Sequence, residues 1–219
     1  APDGPLIVLA NEFFDALPAR HYVRAADGWR ERLIGLGDND ALAFTLADGV
    51  EPTLTADAPE GAILELSPIA LRVMSRLADR IARHGGAALI VDYGYARTAL
   101  GETLQALKAH QSVDPLTLLG EADLTVHVDF SALARAAQAG GAAVWGPVTQ
   151  AQLLRDLGIG ARADRLARRM DAQGLKRLDA DLNRRAGAGP DSMGELFKAL
   201  AVTHPDLPAP PAFAMTRIK

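Results

Sequence analysis

The stretch SPIALRVMSRLADRIARHGGAALIVDYG, residues 67–94, constrains the fold more than any other part of the chain. Ser67 stands as an N-cap, and Pro68 takes the first helical position, where its missing N–H costs nothing. Leu71, Met74, Leu77, Ala78 and Ile81 recur at helical spacing, and Gly85-Gly86 stops the helix. AALIVD (87–92) follows at once, a short continuous apolar run of the kind expected of a strand buried on both faces. A helix feeding such a strand is half of a βαβ unit, and right-handed crossovers pack these units as parallel sheets. LIVLA (6–10) is a second run of the same type, and an α/β fold with parallel strands is the expectation.

Between them the texture changes. HYVRAADGWRERLIGLGDNDALAFTLADGV breaks into short β-like segments at Asp27-Gly28, Asp38-Asn39-Asp40 and Asp48-Gly49, which are hairpin signals. A small antiparallel insert is predicted over 21–60, with 1–20 and 61–219 forming the main domain. Residues 94–122 have weak periodicity and read as an irregular excursion with one short helix near 102–109. Beyond it come a helix over 131–139, a Gly140-Gly141 stop, an AAVWG strand, and a helix QAQLLRDLG capped by Thr149 and ended by Gly158. Two amphipathic helices fill about 161–185, GAGP (187–190) is a loop, FKALAV (197–202) is a last strand, and the prolines of LPAPPAF exclude a helix.

Composition removes several classes of function. The 219 residues carry a formal net charge of −4 with acids and bases interleaved, so there is no basic stripe to neutralise a phosphate backbone, and nucleic acid is not the favoured partner. The absence of cysteine excludes disulfides, thiolate metal sites and a catalytic thiol, and fits a reducing cytoplasm. No apolar run approaches the roughly 20 residues a membrane-crossing helix needs, so no membrane insertion is expected.

In open α/β sheets, ligands gather beyond the carboxyl ends of the parallel strands. LIVLA runs into Asn11, Glu12 and Asp15, and ALIVD ends on Asp92-Tyr93-Gly94; as neighbours, these strands bring the acids to one crevice. A carboxylate pair there acts as a general base or holds a cationic group such as a guanidinium, although acids at strand ends also serve as helix caps. Asn11 offers both donor and acceptor, and Phe13 and Phe14 are either core or a low-dielectric wall. GIGARA (158–163) is the nearest match to a glycine-rich phosphate loop, but it follows a helix and reads as a helix stop. His127 and Asp129 are two potential ligands, too few for a metal site, and fit better as a polar anchor for the helix that follows; His110 sits in the excursion and reads equally well as solvated. RADRLARRM reads as a solvated helix face with acids nearby.

NEFFDALP (11–18), LIVDYG (89–94), GETLQA (101–106), ADLTVHVDF (122–130) and MGELFKALA (193–201), in this order, resemble the MidA family of class I S-adenosylmethionine-dependent methyltransferases over essentially the whole chain. Mitochondrial members of that family assist complex I assembly and methylate a protein arginine. The resemblance implies a Rossmann-like sheet entered at its fourth strand, without the family's N-terminal helical segment and glycine-rich cofactor loop. It also implies S-adenosyl-L-methionine as cofactor. Asn11, Glu12 and Phe13 are expected beside the methyl donor, Phe14 and Tyr93 against the substrate, and Glu12, Asp15 and Asp92 as catalytic groups; no metal is expected. The implied partner is a protein substrate, such as a respiratory complex I subunit, in the bacterial cytoplasm or the mitochondrial matrix. Absence of the glycine-rich loop leaves a non-catalytic protein-binding module as the alternative, and a small-molecule methyltransferase as a third reading.

Overall fold

The computed structural model describes residues 4–189, 192–214 and 216–218, so Pro190 of the expected GAGP loop lies outside the described residues. The strands are β1 (Leu6–Asn11), β2 (Arg20–Ala25), β3 (Gly28–Leu36), β4 (Leu42–Val50), β5 (Ile63–Leu66), β6 (Gly86–Tyr95), β7 (Gln105–Lys108), β8 (Gln111–Val113), β9 (Asp123–Thr125), β10 (Val128–Asp129), β11 (Ala143–Thr149) and β12 (Phe197–Thr203). The helices are α1 (Pro68–His84), α2 (Phe130–Ala139), α3 (Gln150–Asp156), α4 (Ile159–Ala167), α5 (Ala172–Ala186) and α6 (Met193–Leu196). Contacts divide the chain into two compact units. One comprises Ala1–Phe14, Leu71–Thr98 and Val128–Lys219; the other comprises Asp15–Ala70 and Ala99–His127.

The first unit is built on a mixed sheet in the order β1-β6-β12-β11, with β10 also pairing β6. The two apolar runs are parallel neighbours, from Leu6 opposite Gly86 to Asn11 opposite Val91. β12 then runs antiparallel between β6 and β11. α1 begins as its sequence dictates, with Ser67 Oγ accepting from Ala70 N at 3.3 Å. Its apolar stripe is interior: Met74, Ala78 and Ile81 are fully buried, as are Ile90, Phe130, Leu200 and Val202. Gly86 is required where the helix turns into the strand, because its φ is +115° and a Cβ there would stand 2.0 Å from Leu6 O. A second cluster joins Trp145, Val148, Leu153, Ala199 and Phe213, and Trp145 Nε1 donates to Thr203 Oγ1 at 3.1 Å.

β1 departs from the expectation of burial on both faces. Its residues alternate, and Ile7 and Leu9 are 82% and 77% exposed. The physical reason is position: among the described residues β1 is an edge strand laddered to β6 alone, so Ile7 and Leu9 have a neighbouring strand on one side only and line an open concavity with Leu153, Leu157 and Phe213.

The second unit contains a four-stranded antiparallel sheet, β4-β3-β2-β5, and a three-stranded one, β8-β7-β9. The insert signals at Asp27-Gly28 and Asp38–Asp40 do separate strands, whereas Asp48-Gly49 lies inside β4. Tyr22, Trp29 and Leu64 form its core, with Trp29 Nε1 donating to Ala56 O at 2.9 Å. The short helix expected near 102–109 is instead the strand β7 and its turn into β8. Ala109 and His110 make that two-residue turn with φ of +50° and +63°. Such turns usually announce themselves with Asn or Gly, and neither residue does so.

Candidate active site

In the first unit, the chain leaves β1 through a tight turn whose backbone is tied to β6. Glu12 N donates to Val91 O at 3.0 Å. Glu12 itself sits at φ +47°, a left-handed conformation that costs a non-glycine residue about 1 kcal/mol or more. The turn is held by Asp92: its Oδ2 accepts from Phe13 N at 3.2 Å and Phe14 N at 3.1 Å, and its Oδ1 from Tyr93 N at 3.0 Å. Asp92 has no exposed surface. A carboxyl group so placed orients the backbone of the turn.

What the turn presents outward is Asn11 and Glu12. Both are exposed, and Asn11 Nδ2 donates to Glu12 Oε1 at 3.1 Å, so the amide orients the carboxylate. Phe13 and Phe14 divide the two roles open to them. Phe14 is buried core, while Phe13 stays 46% exposed with its ring edge-on to Phe14 at 5.2 Å. Tyr93 is half-buried and packs against Phe197, ring centroids 5.4 Å apart. Six of the expected site residues, Asn11, Glu12, Phe13, Phe14, Asp92 and Tyr93, thus meet at one end of this sheet. The seventh, Asp15, belongs to the second unit.

There Asp15 is 4% exposed and lines a cavity of about 390 Å³ together with Leu17, His21, Arg32, Phe44 and Leu124. Its wall carries a polar network that motif reading missed. Arg32 Nη2 donates to His21 Nδ1 at 2.7 Å and to Glu102 Oε1 at 2.6 Å. A guanidinium only donates, so Nδ1 is the acceptor and the imidazole is neutral with its proton on Nε2, 3.4 Å from Glu65 Oε1. Burial pushes the His21 pKa below its ordinary value, with Glu65 opposing and Arg32 assisting. Arg32 holds the Glu102 carboxyl below the usual carboxylate range. Glu65 in turn accepts from Thr103 N at 2.8 Å and from the Thr103 hydroxyl. The available signal was a titratable residue on each of three strands, visible only once register sets His21 opposite both Arg32 and Glu65.

The remaining candidates fall into structural roles. Asp129 caps α2, its Oδ1 accepting from Ala132 N at 2.9 Å, as an anchor should. Gly158, at φ +86°, ends the α3 segment and caps α4, and the rest of GIGARA is the beginning of α4, so the motif follows a helix, without the strand a phosphate loop needs. Among the described residues no three His, Asp or Glu side chains are grouped as metal ligands.

Residues 1–148 match a family described as "Putative S-adenosyl-L-methionine-dependent methyltransferase". The chain is 38% identical over 210 residues to the mitochondrial protein arginine methyltransferase NDUFAF7 of Xenopus laevis, covering 92% of this chain and 46% of that protein. Its namesakes in Rattus norvegicus and Homo sapiens are 39% and 35% identical, again over 92% of this chain and 46% of theirs. The chain therefore spans about half the length of the curated relatives it matches. Two crystal structures from Burkholderia thailandensis superpose over the whole chain. One is of an uncharacterised protein (TM-score 0.85, 29% identity, 61% of that chain covered). The other, of the same superfamily, is bound to S-adenosyl-homocysteine (TM-score 0.83, 28% identity, 58% covered).

Proposed function

The chain belongs to this family of S-adenosyl-L-methionine-dependent methyltransferases, and from that premise we propose that it serves methyl transfer from S-adenosyl-L-methionine to an arginine side chain of a protein. The observation that carries the reading is the turn after β1. Asp92 and the sheet hold Asn11 and Glu12 outward beside the half-exposed ring of Phe13. This donor set fits a sulfonium cofactor: a carboxylate attracts the positive centre, and an aromatic face accepts a cation in van der Waals contact. Asn11, Glu12 and Phe13 would hold its methyl-bearing side.

When bound, the cofactor supplies an electrophilic methyl group. The new bond would form from a guanidinium nitrogen to that carbon as the carbon–sulfur bond breaks in line, the sulfur would keep the bonding pair and leave as the thioether S-adenosyl-homocysteine, and the nitrogen would pass one proton to a neighbouring carboxylate or to water. The protein's share of such a displacement is alignment and exclusion of water. A carboxylate against the far nitrogens of the guanidinium draws positive charge towards itself, leaving the lone pair of the attacking nitrogen available, and Glu12 or Asp15 fills this role. A respiratory complex I subunit is the acceptor this reading favours, in the bacterial cytoplasm or, in eukaryotic relatives, the mitochondrial matrix. The test is turnover in the intact protein with radiolabelled S-adenosyl-L-methionine. Glu12→Gln or Asp15→Asn should lower kcat at least tenfold, and an unchanged kcat in both variants refutes the assignment.

A further inference from the structure

The basic run that read as a solvated face lies on a groove. α5 carries Leu175, Leu178 and Leu182 on one stripe, yet it has no buried residue, and α4 buries only Ala163. Between these helices is an open concavity of about 520 Å³. Its apolar lining includes Ile159, Leu166, Met170, Leu178 and Leu182, and Arg162, Arg177 and Arg185 also border it. Leu166 and Met170 remain 39% and 38% exposed, and Leu175 42%. From Ile159 to Ala186 there are eight arginines and lysines against four aspartates, in a chain whose formal net charge is −4. Arg185 pairs with Asp181 at 3.7 Å, while Arg162 and Arg177 have no ion-pair partner among the described residues.

We propose that the groove between α4 and α5 is a docking site for an acidic amphipathic helix of a partner protein. The inference is independent of the methyl-transfer reading. An amphipathic helix lays its apolar side chains, spaced i, i+3, i+4 and i+7, into a groove of this kind. Its flanking glutamates and aspartates then meet the arginines. Charge favours an acidic partner over a two-fold pairing of this face with itself, which would bring two basic surfaces together. Shape selects a helix over a lipid surface, because the apolar residues line a concavity, whereas interfacial membrane binding uses a protruding apolar face.

The probe is a fluorescein-labelled synthetic helix with leucines at i, i+3, i+4 and i+7 and glutamates elsewhere, titrated with the full chain by fluorescence anisotropy. Saturable binding is expected, weakened at least tenfold by Arg162→Glu with Arg177→Glu and several-fold by Leu178→Ala. A scrambled peptide of equal composition should not compete. Both arginines are exposed, so the charge reversal leaves the fold in place, as circular dichroism will verify. The proposal is overturned by absence of saturable binding, by equal binding of the scrambled peptide, or by a dissociation constant unmoved by charge reversal. It is equally overturned, in favour of the other occupants, if phosphatidylserine vesicles sediment the wild-type chain but not the reversed one, or if the wild-type chain alone dimerises through this face in sedimentation velocity.

Discussion

Asp92 offers the sharpest test of how the candidate site is held. Asp92→Ala strips the acceptor from the amides of Phe13, Phe14 and Tyr93. A buried N–H left without a partner costs roughly 1–3 kcal/mol, and allowing for partial rescue by water the three together cost about 4 kcal/mol. That is a large share of the roughly 5–15 kcal/mol that holds a domain together. Urea unfolding followed by fluorescence measures it, since Trp145 lies in the same unit as Asp92 and Trp29 in the other. Amide hydrogen exchange localises it: Phe13 and Phe14 should lose protection first. Asp92→Asn retains one accepting oxygen but turns an NH₂ towards an N–H, and should cost about half as much. A loss below about 1 kcal/mol for Asp92→Ala, or unchanged exchange at Phe13 and Phe14, refutes the reasoning.

Three further outcomes are expected. His21 is neutral and its pKa lies below 6.5, so the unfolded chain binds its proton more readily. The stability this burial implies is present above about pH 6.5 and is lost as pH falls from there through the folded-state pKa. His21→Gln should flatten that part of the urea-midpoint profile, and an unaltered profile would contradict the neutral assignment. Gly86→Ala should destabilise by at least about 2 kcal/mol, because the new Cβ meets Leu6 O in the β1–β6 ladder at a positive φ. Gly160→Ala in α4, with open space around it, should be neutral or stabilise by up to about 1 kcal/mol; thermal unfolding of the pair decides both.

Local chemistry sufficed for much of the fold. Ser67-Pro68, Gly85-Gly86, Asp129 and Thr149 set helix ends through bonds to near neighbours, and each works in the structure as its sequence suggests. The excursion over 94–122 was not legible in this way, because Ala109-His110 makes a left-handed turn that these residue types do not signal, and strand pairing by β7 outweighed weak helical spacing. The candidate site divides along the same line. NEFFDALP and LIVDYG marked the residues, since acids and an amide at strand ends are visible in one dimension.

What each of them does depended on register and burial. Parallel pairing of β1 with β6 put Asp92 beneath the turn and left Glu12 outside it, so two carboxyl groups that look alike in sequence became a fastener and an exposed group. The His21, Arg32 and Glu65 network belongs wholly to the tertiary structure, because polar contacts between residues 11 and 44 positions apart exist only once antiparallel ladders bring their strands to the spacing of a single sheet. The sequence by itself determined where α1, α2 and α3 start and stop, that apolar runs lie at β1, β6 and β12, and which family the chain resembles. Which acid is buried, which is presented, and which apolar faces stay uncovered were decided by packing, because solvent exclusion is a property of neighbours in space and not of neighbours along the chain.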